Sequence, residues 1–253
     1  MDTNSLIINL RDVWFSYPGR APILDRLNLS FYQGDRMGLM GPNGSGKTTL
    51  FHVIMGLLKP SSGKMEVFGR SVEEGKDFGE VRQRVGLLFQ DADDQLFSPT
   101  VLEDVAFGPL NLGKSQDEAK AIARRTLESL GLTGFEERIT YKLSGGEKRL
   151  VSLATVLAME PEALLLDEPT TGLDEATEGR LVEILQGLDL SLILVSHNID
   201  FLMKTTEFIS YMAGGKISFD EESIPHTHVH FHKHGRYDHR HSHSGEHTRK
   251  ENK

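Results

Sequence analysis

At 253 residues the chain is long enough to bury a full core as one large domain with an appendage. Its formal net charge of −9 speaks against a phosphate-tracking nucleic-acid surface, so no nucleic-acid partner is expected. The absence of cysteine excludes a disulfide framework and a thiolate metal site, and fits a reducing compartment. Apolar runs such as Ala163 to Leu166 and Leu192 to Val195 fall far short of the roughly 20 residues of a membrane span. The N-terminus, Met-Asp-Thr-Asn-Ser-Leu-Ile-Ile, lacks the basic start and long apolar stretch of a secretory signal, which predicts a cytoplasmic location.

Two segments with partly alternating apolar residues, Leu6 to Phe15 and Ile23 to Tyr32, flank the turn Tyr17-Pro18-Gly19-Arg20 and predict strands of a small antiparallel layer. Arg36 to Met40 reads as a strand feeding a glycine-rich loop. A helix follows from Lys47 to about Met55, stopped by Gly56 and Pro60. The stretch from about 91 to 159 predicts an inserted helical subdomain with three capping boxes, Thr100-Val-Leu-Glu, Ser115-Gln-Asp-Glu and Ser144-Gly-Gly-Glu. Gly108 and Gly131 are the expected helix stops. Ala163 to Leu166 and Leu192 to Val195 predict core strands separated by a helix that Asp174 caps. The alternation of strands and helices points to an α/β fold with a largely parallel sheet. Periodicity ends near Phe219, giving a folded domain over 1–219 and a disordered, histidine-rich tail over 220–253.

The loop Gly41-Pro42-Asn43-Gly44-Ser45-Gly46-Lys47-Thr48, followed by Thr49, carries the chemistry. Its three glycines let the backbone curl into a nest of amide hydrogens, and the helix beginning at Lys47 adds its dipole, a combination suited to the phosphates of ATP. Lys47 is placed to reach the β- and γ-phosphates, and the Thr48 hydroxyl to ligate Mg2+. The apolar run ending in Asp167-Glu168 puts two carboxylates at the same sheet edge: Asp167 for the metal, Glu168 to orient or deprotonate the attacking water. A solvated Asp-Glu pair is the plainer reading of that dipeptide taken alone.

With these residues in order, the chain resembles the ATP-binding-cassette ATPases over nearly everything from Leu6 to Phe219. Leu143-Ser144-Gly145-Gly146-Glu147 resembles that family's signature. The resemblance implies a P-loop NTPase core. It makes Tyr17 the aromatic that stacks on adenine, and Gln90 a magnesium-sensing glutamine that links to a membrane partner. It makes Thr171-Gly172-Leu173-Asp174 the D-loop and His197 the switch histidine. It also implies that Ser144, Gly145 and Gly146 face the γ-phosphate held by a second ATPase subunit, identical or not, so that two cassettes sandwich two nucleotides. Capping alone would equally explain Ser144, Glu147 and Asp174. Glu147 stands where glutamine is frequent in the family, and Glu175 where proline is frequent.

The segments Asp93 to Val101 and Glu103 to Pro109 are similar to the cobalt and nickel branch and, more widely, to the energy-coupling-factor importers. That likeness implies a transmembrane coupling protein, a substrate-binding membrane subunit, and a peripheral position at the cytoplasmic face of the membrane. It leaves metal and vitamin cargo open. The tail holds His226, His228, His230, His232, His234, His239, His241, His243 and His247. Alternate residues of an extended chain share a face, so these imidazoles suit a borderline metal ion, although a plain solvated tail has the same composition. A soluble non-transport cassette ATPase is the reading from another class; the long coiled coil of a DNA-repair ATPase and the second cassette of a translation factor are both missing from this sequence.

Overall fold

The structure is a computed structural model that describes residues 5–218; the histidine-rich tail lies outside the described residues. In chain order the elements are β1 (Leu6–Phe15), β2 (Leu24–Tyr32), β3 (Arg36–Met40), α1 (Lys47–Ile54), β4 (Ser62–Val67), β5 (Arg70–Ser71), α2 (Phe78–Arg84) and β6 (Val85–Leu88). They continue as α3 (Val101–Asn111), α4 (Gln116–Ser129), α5 (Gly145–Leu157), β7 (Ala163–Asp167), α6 (Glu175–Gly187), β8 (Ser191–Val195), α7 (Ile199–Thr205), β9 (Phe208–Ala213) and β10 (Lys216–Ser218). Single 3-10 turns occupy Ala92–Asp94 and Thr140–Lys142.

Two sheets form. One is antiparallel, in the order β2-β1-β4-β5; the other runs β10-β9-β3-β8-β7-β6 and is parallel except for β10. Both faces of the parallel sheet are covered, and its strands read as continuous apolar runs for that reason. Along β7 and β8 the side chains divide by parity. Ala163, Leu165, Ile193 and Val195 join the core shared with α1 and the antiparallel layer, whereas Leu164, Leu166, Leu192 and Leu194 pack with α6 and α7. Every residue of both strands is buried, so together they fix the centre of the domain.

The three capping boxes form as the sequence pattern predicts, at Thr100, Ser115 and Ser144, and start α3, α4 and α5. These helices hold their own apolar cluster, built on Val105, Ala123, Leu127, Leu150 and Val151. Gly131 follows α4 with φ +64°, and Gly56 follows α1 with φ +65°, the left-handed conformation of a helix stop. Gly108 behaves differently. The helix runs through it and through Pro109 to Asn111, and a Cβ at Gly108 would lie 2.5 Å from Met159 Cγ. Close packing of α3 against the end of α5 therefore demands that glycine, and the turn falls later, at Gly113 with φ +86°.

Candidate active site

The phosphate loop leaves β3 at the C-terminal end of the parallel strands, where ligand sites of α/β sheets lie. Gly41, Gly44 and Gly46 all have positive φ, at +155°, +78° and +109°. At Gly41 the demand is also steric, since a Cβ there would sit 2.1 Å from the Met212 carbonyl oxygen. Glycine at these positions lets the loop take a curl that a side chain would obstruct. Lys47 is buried, and its Nζ donates to Gly41 O at 2.8 Å and to Pro42 O at 3.1 Å. Burial pulls its ammonium below the ordinary lysine range, opposed by the charges of Glu168 and Asp167.

Thr48, one residue on, donates from Oγ1 to Asp167 Oδ2 at 2.6 Å. Asp167 ends β7 and is buried, and its Oδ1 has no hydrogen-bond partner. Desolvation raises its carboxyl above the usual range; the Thr48 hydrogen bond, His52, Lys47 and Arg149 act in the opposite sense. A hydroxyl and a buried carboxylate with an unused oxygen form a hard-oxygen donor pair, which fits Mg2+. Gln90 lines the same cavity as Thr48 and Asp167, about 690 Å3 in volume, as do Gly145 and Thr171.

Glu168 follows at the strand end with φ +45°, an uncommon conformation for a residue with a side chain and one that favours functional positions. Its N–H donates to Val195 O at 3.0 Å, which pins that backbone to the end of β8. The carboxylate then meets the segment after β8: His197 N donates to Oε2 at 3.4 Å, and His197 Nε2 lies 3.3 Å from Oε1. Desolvation raises the Glu168 carboxyl, offset first by the charge of His197. A base with raised affinity for a proton, held beside the metal donors, suits activation of water.

Tyr17 stands edge-on to Phe15 at 5.0 Å, and its hydroxyl is 3.4 Å from Thr49 Oγ1, at the first turn of α1. Ser144 and Asp174 cap neighbouring helices. Ser144 N donates to Glu147 Oε2 at 2.8 Å, and Thr177 N donates to Asp174 Oδ1 at 2.8 Å. Gly146 packs on Thr177, where a Cβ would come within 3.0 Å, so the starts of α5 and α6 lie against one another.

Three residues of this region have contacts that the sequence motifs do not assign. Arg149 on α5 is buried and donates to Phe89 O at 2.6 Å and to Gln90 O. Gln95 accepts from Phe89 N at 3.3 Å and donates to Ser152 O at 3.1 Å and Thr155 Oγ1 at 2.9 Å. Together they bolt the backbone entering Gln90 to the helix that Ser144 begins. The third is His52, one helical turn beyond Thr48, which lines the cavity and sits 6.2 Å from the Phe89 ring. A charged residue among the apolar positions of α5 was the available signal for Arg149; Gln95 falls in the segment Asp93 to Val101, where the resemblance assigns it no contact of its own.

Residues 24–171 match the family model described as ABC transporter. The chain is an ABC-transporter ATPase. It is 43% identical over 215 residues to the energy-coupling factor transporter ATP-binding protein EcfA of Methanothermobacter thermautotrophicus, covering 83% of this chain and 69% of that one. Among solved structures it is similar to cbiO1 of Clostridium perfringens, part of the ABC transporter complex cbiONQ. The TM-score is 0.76 with 32% identity, covering 85% of this chain and 87% of that one. It is also similar to the ATP-binding cassette MJ0796, solved as a dimer in a post-hydrolysis state bound to ADP and Pi. There the TM-score is 0.75 with 26% identity, covering 83% and 96%. ABC ATPases bind and hydrolyse ATP, and the mixed α/β architecture described above is theirs.

Proposed function

We propose that the chain is the ATP-hydrolysing subunit of an energy-coupling-factor importer for a transition-metal ion, cobalt or nickel, working at the cytoplasmic face of the membrane. The observation that carries the enzymatic half is the convergence of Lys47, Thr48, Asp167, Glu168 and His197 at one end of the parallel sheet. In this reading the amides of Gly41 to Gly46, with Pro42, Asn43 and Ser45 shaping the turn, take the phosphates, and Tyr17 takes the adenine. Lys47 turns from its own loop carbonyls to the β- and γ-phosphates. Thr48, Asp167 and Gln90 hold Mg2+, which neutralises phosphate charge when bound. Glu168 accepts the proton of the attacking water, and His197 keeps the carboxylate aimed.

Ser144, Gly145, Gly146 and Asp174 serve the nucleotide of a second copy of the chain, and closure of the pair follows from contacts that exist only with a γ-phosphate present. The dimeric cassette bound to ADP and Pi supports the pairing of two cassettes. A transmembrane coupling protein docks beside Gln90. Phe97 and Phe107 support that surface: they are 65% and 45% exposed, their rings meet edge-on at 4.7 Å, and they lie on the two segments that resemble the cobalt and nickel branch. No helix among the described residues is long and apolar enough to cross a membrane, so the membrane-spanning path belongs to such partners. Metal cargo is favoured by the nine tail histidines, which would buffer the incoming ion. Cells carrying Lys47→Ala should lose uptake of nickel or of cobalt, whichever is the cargo, when each is supplied separately. Retention of both uptakes, with loss of a vitamin import instead, would overturn the metal reading.

A further inference from the structure

Glu147 places a carboxylate in the first turn of α5, where the composite-site reading brings the most negative part of a second copy's nucleotide. A full charge there opposes the helix N-terminus, which otherwise attracts an anion. The carboxylate is held ionised by the backbone and hydroxyl of Ser144, and then by Arg138. Arg138 Nη1 donates to Glu147 Oε1 at 2.7 Å, while Oε2 is committed to Ser144 N at 2.8 Å. The guanidinium is itself fixed, with its carbon 3.7 Å from the centroid of the Phe135 ring. Its backbone is tied at both ends: Arg138 N donates to Phe135 O at 2.8 Å, and Arg138 O accepts from Val101 N at 3.0 Å at the start of α3. The pair is partly exposed, 47% at Arg138 and 33% at Glu147, so it faces outward rather than into the subdomain core.

We propose that Arg138 is a positioning residue of the composite site: it cancels the Glu147 charge, so that a second copy's triphosphate can dock on the Ser144 helix start. The inference rests on the composite-site reading. It assigns Glu147 the cap and Arg138 the charge balance, two tasks that a neutral glutamine would perform alone. A purely architectural Arg138 would instead serve only to hold the loop on Phe135, and charge at Glu147 would not matter to it.

The test uses the full chain in the Glu168→Gln background, with ATP-dependent dimerisation read by sedimentation at several salt concentrations. Arg138→Gln should raise the MgATP needed for half-maximal dimer roughly fivefold, and the gap should narrow at high salt. Adding Glu147→Gln should return the requirement to within about twofold of the parent, because glutamine at the third helical position keeps the capping box. Arg138→Lys, which keeps the charge, should stay near the parent. An unchanged requirement in Arg138→Gln overturns the proposal, as does a defect that Glu147→Gln fails to relieve. If the Glu168→Gln parent itself never dimerises with ATP, the composite-site reading fails first and takes this inference with it.

Discussion

Asp104 shows how burial acts on a carboxylate away from the nucleotide site. It is 2% exposed, and its Oδ1 accepts from Ser98 N at 2.8 Å and Phe97 N at 3.2 Å, fixing the loop that presents Phe97. Its Oδ2 has no partner, and desolvation outweighs the two amides, so the carboxyl is raised above its ordinary value. A raised folded-state value means the native protein binds the proton more tightly than the unfolded chain. The stability this contributes is present below the unfolded value and lost as pH rises through the folded one. Asp104→Asn removes that titration and leaves an acceptor for the two amides. The difference in unfolding free energy between variant and parent should therefore shift towards the variant as pH rises from about 3 to about 7. Denaturant unfolding across that range checks it; a flat or opposite slope would contradict the burial argument. Glu168 and Asp167 are raised by desolvation in the same way, and beside Lys47 and His197 the proposed function gives that chemistry to proton and metal handling.

Elements were legible where a local rule decides them. Three capping boxes, two glycine stops and the strand and helix on either side of the phosphate loop were readable because side chains within four residues determine them. The stop expected at Gly108 was not, because its glycine answers to Met159, far away in the chain. Strand β6 went unmarked for a similar reason: Gly86 interrupts its apolar run, since a Cβ there would lie 2.2 Å from Val156 Cγ1 of α5. The site divides along the same line. Its motif residues are contiguous in sequence, whereas Arg149, Gln95 and Arg138 act on backbone or partners that only the folded chain brings near. Caps also offer a separation of roles at this scale. Ser115 and Ser144 make the same capping box, so Ser115→Ala and Ser144→Ala should each cost about 1 kcal/mol of stability. Only Ser144→Ala should also lose ATP hydrolysis, by an order of magnitude or more. Equal hydrolysis in the two variants would reduce Ser144 to a cap.

At the scale of the whole molecule, the parallel sheet orders the chemistry. Strands β3, β7 and β8 lie side by side and deliver the phosphate loop, the Asp167-Glu168 pair and His197 to one edge. The helical subdomain carries Ser144 at the start of a helix that Arg149 and Gln95 lock to the segment of Gln90. In the proposed arrangement each chain holds one nucleotide and offers one helix start, so that two copies complete each other's sites. The decisive measurement is the mass of the full-length Glu168→Gln protein in solution with MgATP and with MgADP, by sedimentation equilibrium. Two copies with MgATP and one with MgADP is the predicted result; a monomer with both nucleotides, despite ATP binding, would contradict the shared site.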